Sequence, residues 1–149
     1  MNKKLIKITI TILSVFAFVL FILPVFKFST DETTIVIIGL NLVEFSAWGG
    51  ILLLIPLFIL ALLYSHMNVN QKTLGIIAIQ CINVVGVHYS FYSAKQWAEK
   101  VSLHYVSPEP YLFIYTILVT MILILFYLYN EYFGNPAYTR QKFIMDRNK

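Results

Sequence analysis

LGIIAIQCINVVGVHYSFYSA, residues Leu74 to Ala94, decides how the rest of the chain is read. The stretch is apolar and about 20 residues long, which at a helical rise of about 1.5 Å per residue crosses the hydrocarbon core of a bilayer. It also carries Gln80, Asn83 and His88 at membrane depth. Polar groups cost free energy there unless they find partners, so this helix is expected to face protein or water. On a helical wheel Gly75, Asn83, Gly86, Ser90, Ser93 and Ala94 share one broad face. Small residues allow another backbone to come close, and amides bond across such a contact, each bond contributing about 0.6 to 2 kcal/mol. A helix–helix contact is the preferred reading of this face. A pore or substrate path lined by Gln80, Asn83 and Ser90 is the competing one.

His88 projects away from Gln80, in the outer half of the span. A haem held between two imidazoles needs a second histidine at similar depth, whereas His66 and His104 lie beyond opposite ends of the helix. A neutral histidine bonded to a neighbouring hydroxyl is expected in place of a haem ligand, a proton relay or a pH sensor. No two of His66, Cys81, His88 and His104 have the local spacing of metal ligands, and no cofactor is expected.

The composition agrees with a bilayer setting. Of 149 residues, 59% are hydrophobic and only 12% charged, against about half and a quarter in soluble domains. The single cysteine excludes an intrachain disulfide framework. The net charge of +4 does not point to nucleic acid, because the basic residues gather near the termini and not along one exposed surface.

Three further apolar stretches flank the central one. Residues 5–26 read as a retained signal-anchor helix, since the apolar core is long for a secretory signal and no small-x-small cleavage pattern follows Pro24. Residues 46–64 carry Trp48 and Tyr64 at opposite ends, as interfacial aromatics do. Ser46 and Gly50 there form a small-xxx-small pair for helix packing. Pro56 should kink this helix and leave the Leu52 carbonyl without its usual donor, as a structural kink or a hinge. Residues 111–130 form the last span, with Thr116 and Thr120 on one face. In the first connection the β-branched run Thr33–Ile38, broken by Gly39, suits a small hairpin or extended segment. Glu44 reads as a solvated carboxylate at the rim of the second helix. In the second connection Trp97, Val101 and Tyr105 recur every fourth residue, as in a short surface helix.

With four spans, both termini and the link 65–73 share one side. That side holds Lys3, Lys4, Lys7, Lys72, Arg140, Lys142, Arg147 and Lys149; the other holds only Lys27, Lys95 and Lys100. The positive-inside bias therefore places both termini in the cytoplasm. The expected fold class is an all-α membrane protein. It comprises a four-transmembrane-helix bundle over 1–130, a basic cytoplasmic tail over 131–149, and a small extracytoplasmic β-hairpin in the first loop.

The tail contains Asn135-Pro136-Ala137-Tyr138, a short match to an NPxY-type signal whose Asn-Pro is also an ordinary turn former. Tyr138, Arg140, Lys142, Arg147 and Lys149 are candidates for contact with a cytosolic partner or with anionic headgroups. No Walker-type loop, HExxH, GxSxG or pair of carboxylates on one helix face occurs. The expectation is a non-enzymatic subunit of a bacterial inner or plasma membrane. It assembles with itself and couples its outer loops to a cytosolic partner as a sensor, anchor or immunity-type accessory protein. The alternative is an oligomeric channel or transporter with a path lined by Gln80, Asn83, His88 and Ser90.

Overall fold

Helix α1 (Lys3–Leu20) starts at Asn2, whose side-chain oxygen accepts the Lys4 N–H at 3.0 Å. In the computed structural model, which describes residues 2–29, 34–100 and 105–134, this helix ends at Leu20 and not near Phe26 as expected. The Phe21 N–H closes it by donating to the Phe18 carbonyl, and the Ile22 N–H donates to that of Val19. Pro24 has no N–H and pushes Leu23 out of the helical region, so the apolar run continues as a strand.

That strand, β1 (Pro24–Ser29), pairs antiparallel with β2 (Thr34–Ile38) on one edge and with β3 (Tyr105–Pro108) on the other. A hairpin is therefore present, but half of its first strand (Pro24, Val25 and Phe26) lies in sequence assigned to the first span, and the second connection adds a third strand. The register shifts between Pro24 and Phe26, a bulge at Val25. The freed Val25 carbonyl accepts the Glu109 N–H at 2.9 Å and fixes where the last helix begins.

After β2 a single 3-10 turn (Gly39–Asn41) and a short helix α2 (Leu42–Phe45) lead to α3 (Ala47–Tyr64). Helix α4 (Val69–Lys100) begins in a reciprocal cap. Asn68 Oδ1 accepts the Gln71 N–H at 2.9 Å, and Gln71 Oε1 accepts the Asn68 N–H at 3.2 Å. Its 32 residues extend about 48 Å, well beyond a bilayer core of about 30 Å. The separate surface helix expected from Lys95 is not formed. Trp97 continues α4, Tyr105 is in β3, and Val101 lies outside the described residues. Helix α5 (Pro110–Gly134) opens on a proline, where a missing N–H is no loss.

Helix α1 packs between α3 and α5, and α4 packs between the same two from the opposite corner. Ile10, Leu52, Ile55, Ile59, Val119, Ile122 and Phe126 fill the middle, each fully buried. Helix α4 turns a seam inward at alternating steps of three and four: Ile76, Ile79, Asn83, Gly86, Ser90. The sheet closes one end of the bundle, hereafter the sheet end. The Phe26 ring packs tilted against Phe91 with centroids 5.9 Å apart, and Phe28 meets Trp97 edge-on at 5.4 Å. The opposite end carries Lys3, Lys4, Lys7 and Lys72.

The outer surface of the helices is apolar, with Ile12, Phe16, Phe58, Ile77, Ile117 and Met121 about half exposed or more. Water does not tolerate so wide a band, and acyl chains do. Helices α3, α4 and α5 are each long and apolar enough to cross a membrane, consistent with a multi-pass membrane protein. Helix α1 differs in holding Lys3, Lys4 and Lys7 in its first five residues.

Candidate functional site

Pro56, buried within α3, has no N–H for the Leu52 carbonyl. That carbonyl is taken by another helix: the Tyr115 hydroxyl of α5 donates to it. The Tyr115 ring is 1% exposed and meets the Phe21 ring edge-on at 4.7 Å. Phe21, Tyr115 and Leu52 thus tie the sheet end of α1 through α5 to α3. The sequence pointed to an orphan acceptor at Leu52 but not to its donor, because Tyr115 reads as one more interfacial aromatic. A tyrosine hydroxyl at that depth, with apolar Leu112, Leu118 and Val119 beside it on the helix, was the available signal.

The polar residues of α4 have three different surroundings. Asn83 and Ser90 face the core and are 0% and 1% exposed. Neither side-chain atom of Asn83 has a hydrogen-bond partner, and the same holds for the hydroxyls of Ser90 and of Ser14 on α1. Gly86, between them, faces α3, where an added Cβ would come 2.9 Å from Leu52 Cδ2 and 3.6 Å from Trp48. Gln80 turns to α5 and donates from Nε2 to Thr120 Oγ1 at 3.1 Å. Thr120 in turn donates to the Thr116 carbonyl at 2.9 Å. His88 points outward, beside an apolar groove of about 420 Å³ shared with Phe91, Leu112 and Phe113. The face grouped by the helical wheel, with Asn83, Gly86, Ser90 and Ala94, is thus buried, while Gln80 turns to a neighbouring helix and His88 to the outer surface.

Among the described residues of the chain no neighbouring helix packs closely on the Ser46 and Gly50 pair. Ser46 is the cap of α3, its Oγ accepting the Trp48 N–H at 3.1 Å. A Cβ on Gly50 would lie 3.8 Å from Val43, ordinary contact in open space. The close approach is at Gly49, where a Cβ would overlap the Leu42 main chain at the turn from α2 into α3. Glu44, on α2, is exposed.

At the lysine end, Thr11 Oγ1 and the Tyr64 hydroxyl share a hydrogen bond of 3.0 Å between α1 and α3, and Lys7 Nζ sits 3.9 Å from the centre of the Tyr64 ring. Asn130, 4% exposed, donates from Nδ2 to the Val69 carbonyl and to Thr73 Oγ1, both at 2.9 Å, and joins α5 to the start of α4. Tyr138, Arg140, Lys142, Arg147 and Lys149 lie outside the described residues. Among the described residues no three His, Cys, Asp or Glu side chains come together as metal ligands would.

No protein-family model matches this sequence, and neither a curated protein nor a solved structure matches it. The arrangement itself is the guide to function. Among the described residues, the polar groups within the bundle either join helices, as Gln80, Tyr115 and Asn130 do, or are buried without a protein partner, as Ser14, Asn83 and Ser90 are.

Proposed function

We propose that this chain is a non-enzymatic subunit of a cell membrane, most simply a bacterial inner or plasma membrane. It would span four times, with α1 as the fourth crossing and both termini in the cytoplasm. Three arguments support that topology: α1 packs along α3 and α5 as a full member of the bundle; its lysines lie at one end, where their stems reach the headgroups; and eight of the eleven Lys and Arg residues fall on the terminal side of a four-span chain. In this reading the sheet is the extracytoplasmic face, 131–149 engages a cytosolic partner, and copies of the chain assemble with one another.

The observation that carries the reading is the three-stranded sheet drawn from both outer connections and seated on the bundle through Phe26 and Phe28. A surface assembled from two separate loops and anchored to the helices is suited to presenting one rigid face, and the basic tail offers a second, unlike face on the other side. A sensor, anchor or immunity-type accessory role fits two such faces joined by a solid core. A conducting path lined by Gln80, Asn83, His88 and Ser90 has less support, since these side chains do not share one surface.

Three measurements test this. Alkaline phosphatase fused after Lys149 is expected to be inactive and a fluorescent protein fused there bright; the reverse pair overturns the topology. Deleting 135–149 keeps all of α5 and is expected to abolish co-purification of a cytosolic partner while membrane insertion survives. Unchanged co-purification counts against the coupling role. Ion flux through reconstituted vesicles, lost in Asn83→Leu, would favour the channel.

A further inference from the structure

The lysine end holds a cavity of about 640 Å³, walled by Lys3 from the start of α1, by Asn68, Asn70 and Lys72 around the start of α4, and by Tyr129 and Asn130 from α5. Its floor is fixed, because the Asn130 amide is committed to Val69 and Thr73. Lys72 is partly buried, with Nζ 3.5 Å from the Leu63 carbonyl, and its charge is repelled by those of Lys7 and Lys3. Among the described residues no carboxylate lines the cavity. Like charges gathered in a hollow of reduced polarity raise one another's free energy, and an anion placed among them removes that cost. The sequence leaving the rim at Gly134 adds Arg140, Lys142, Arg147 and Lys149 against the single acid Asp146, so it does not bring the missing negative charge. Met67 and Phe133 make part of the wall apolar, which suits an esterified phosphate better than a bare ion.

We propose that this cavity binds a phosphate group, carried by an anionic phospholipid headgroup or by a small phosphorylated solute, with Lys3 and Lys72 as its cationic ligands and the Asn68 and Asn70 amides as further donors. The site does not depend on the cytosolic partner proposed above, because a chain lacking 135–149 keeps every lining side chain.

The test is the thermal midpoint of the full-length protein in an uncharged maltoside detergent. The probes, each titrated separately, are dioleoylphosphatidylglycerol, inorganic phosphate, and dioleoylglycerol as the control without phosphate. Phosphatidylglycerol or inorganic phosphate is expected to raise the midpoint by about 3 °C or more near saturation, and dioleoylglycerol to leave it unmoved. Response to the lipid alone identifies a headgroup as the source; response to inorganic phosphate at submillimolar concentration identifies a soluble one. Each of Lys3→Gln and Lys72→Gln is expected to weaken half-saturation about fivefold, Lys72→Arg to retain it, and Lys95→Gln with Lys100→Gln, exposed at the sheet end, to leave it unchanged. Asn70→Asp, at an exposed rim position, repels the phosphate without touching the core and serves where a lysine variant is unstable. No rise with either phosphate probe, an equal rise in Lys72→Gln and Asn70→Asp, or loss on neutralising Lys95 and Lys100 would overturn the assignment.

Discussion

The Tyr115 hydroxyl donates its hydrogen to the Leu52 main-chain carbonyl, the one carbonyl that Pro56 deprives of a partner within its own helix. A proline in a membrane-spanning helix leaves an acceptor that hydrocarbon cannot satisfy. Here the repair comes from a neighbouring helix and fixes the rotation of α5 against α3.

Tyr115→Phe keeps the ring against Phe21 but leaves the Leu52 carbonyl unpaired, at an expected cost of about 1–3 kcal/mol. In a Pro56→Ala background α3 supplies its own N–H, and the same change is expected to cost close to nothing. Unfolding of the four proteins of this double-mutant cycle in detergent measures the coupling; equal costs in both backgrounds would show that the hydroxyl acts elsewhere.

Asn83 is buried with both side-chain atoms unpartnered. Asn83→Leu is therefore expected to leave stability unchanged or raise it by about 1–3 kcal/mol, since an unmet amide is replaced by a side chain of similar reach. Gln80→Leu should instead cost about 0.6 kcal/mol, the value of the lost interhelical bond to Thr120. Midpoints of thermal unfolding in one detergent compare the two, and marked destabilisation by Asn83→Leu would mean that the amide has a partner.

Neighbouring glycines separate tight packing from open space. Gly49→Ala drives a methyl group into the Leu42 main chain and is expected to cost about 1–3 kcal/mol or more. Gly50→Ala meets only Val43 at 3.8 Å and should be neutral or stabilising by up to about 1 kcal/mol through helix propensity. If Gly50→Ala instead weakens association between copies of the chain, Gly50 belongs to an interface outside the single bundle.

Asn130 holds the start of α4 to the end of α5 through two donated bonds. Asn130→Leu is expected to cost about 1–2 kcal/mol and to speed amide exchange around Val69–Thr73 before the rest of α4. Exchange measured by mass spectrometry should show that local opening, and uniform exchange along α4 would argue against the role.

The apolar stretches that become α3, α4 and α5 are evident in the sequence because twenty residues without charge have few other destinations. Hydropathy has no term for backbone conformation, so Phe21–Phe26 looked like the end of a helix although Pro24 already disallowed one. The run from Lys95 to Lys100 resembled a new surface helix because its charges break the apolar pattern, while its backbone has no reason to stop. On α4 the wheel grouped Asn83 with Gly86 and Ser90 on the face that turns into the bundle. It could not indicate that Gln80 finds Thr120, or that the Asn83 amide finds nothing, because partners on other helices set both outcomes. Tyr115 was overlooked for the same reason.

Strand β1 lies between one neighbour made just after it and another made only once three further helices, α2, α3 and α4, have left the ribosome. A nascent chain arrested before Tyr105 consequently shows a bare strand edge at the membrane surface, open to any extended peptide or to another unfinished copy. The last strand covers that edge with one only four residues long, Tyr105–Pro108, so the finished sheet leaves a shorter template there than the unfinished one.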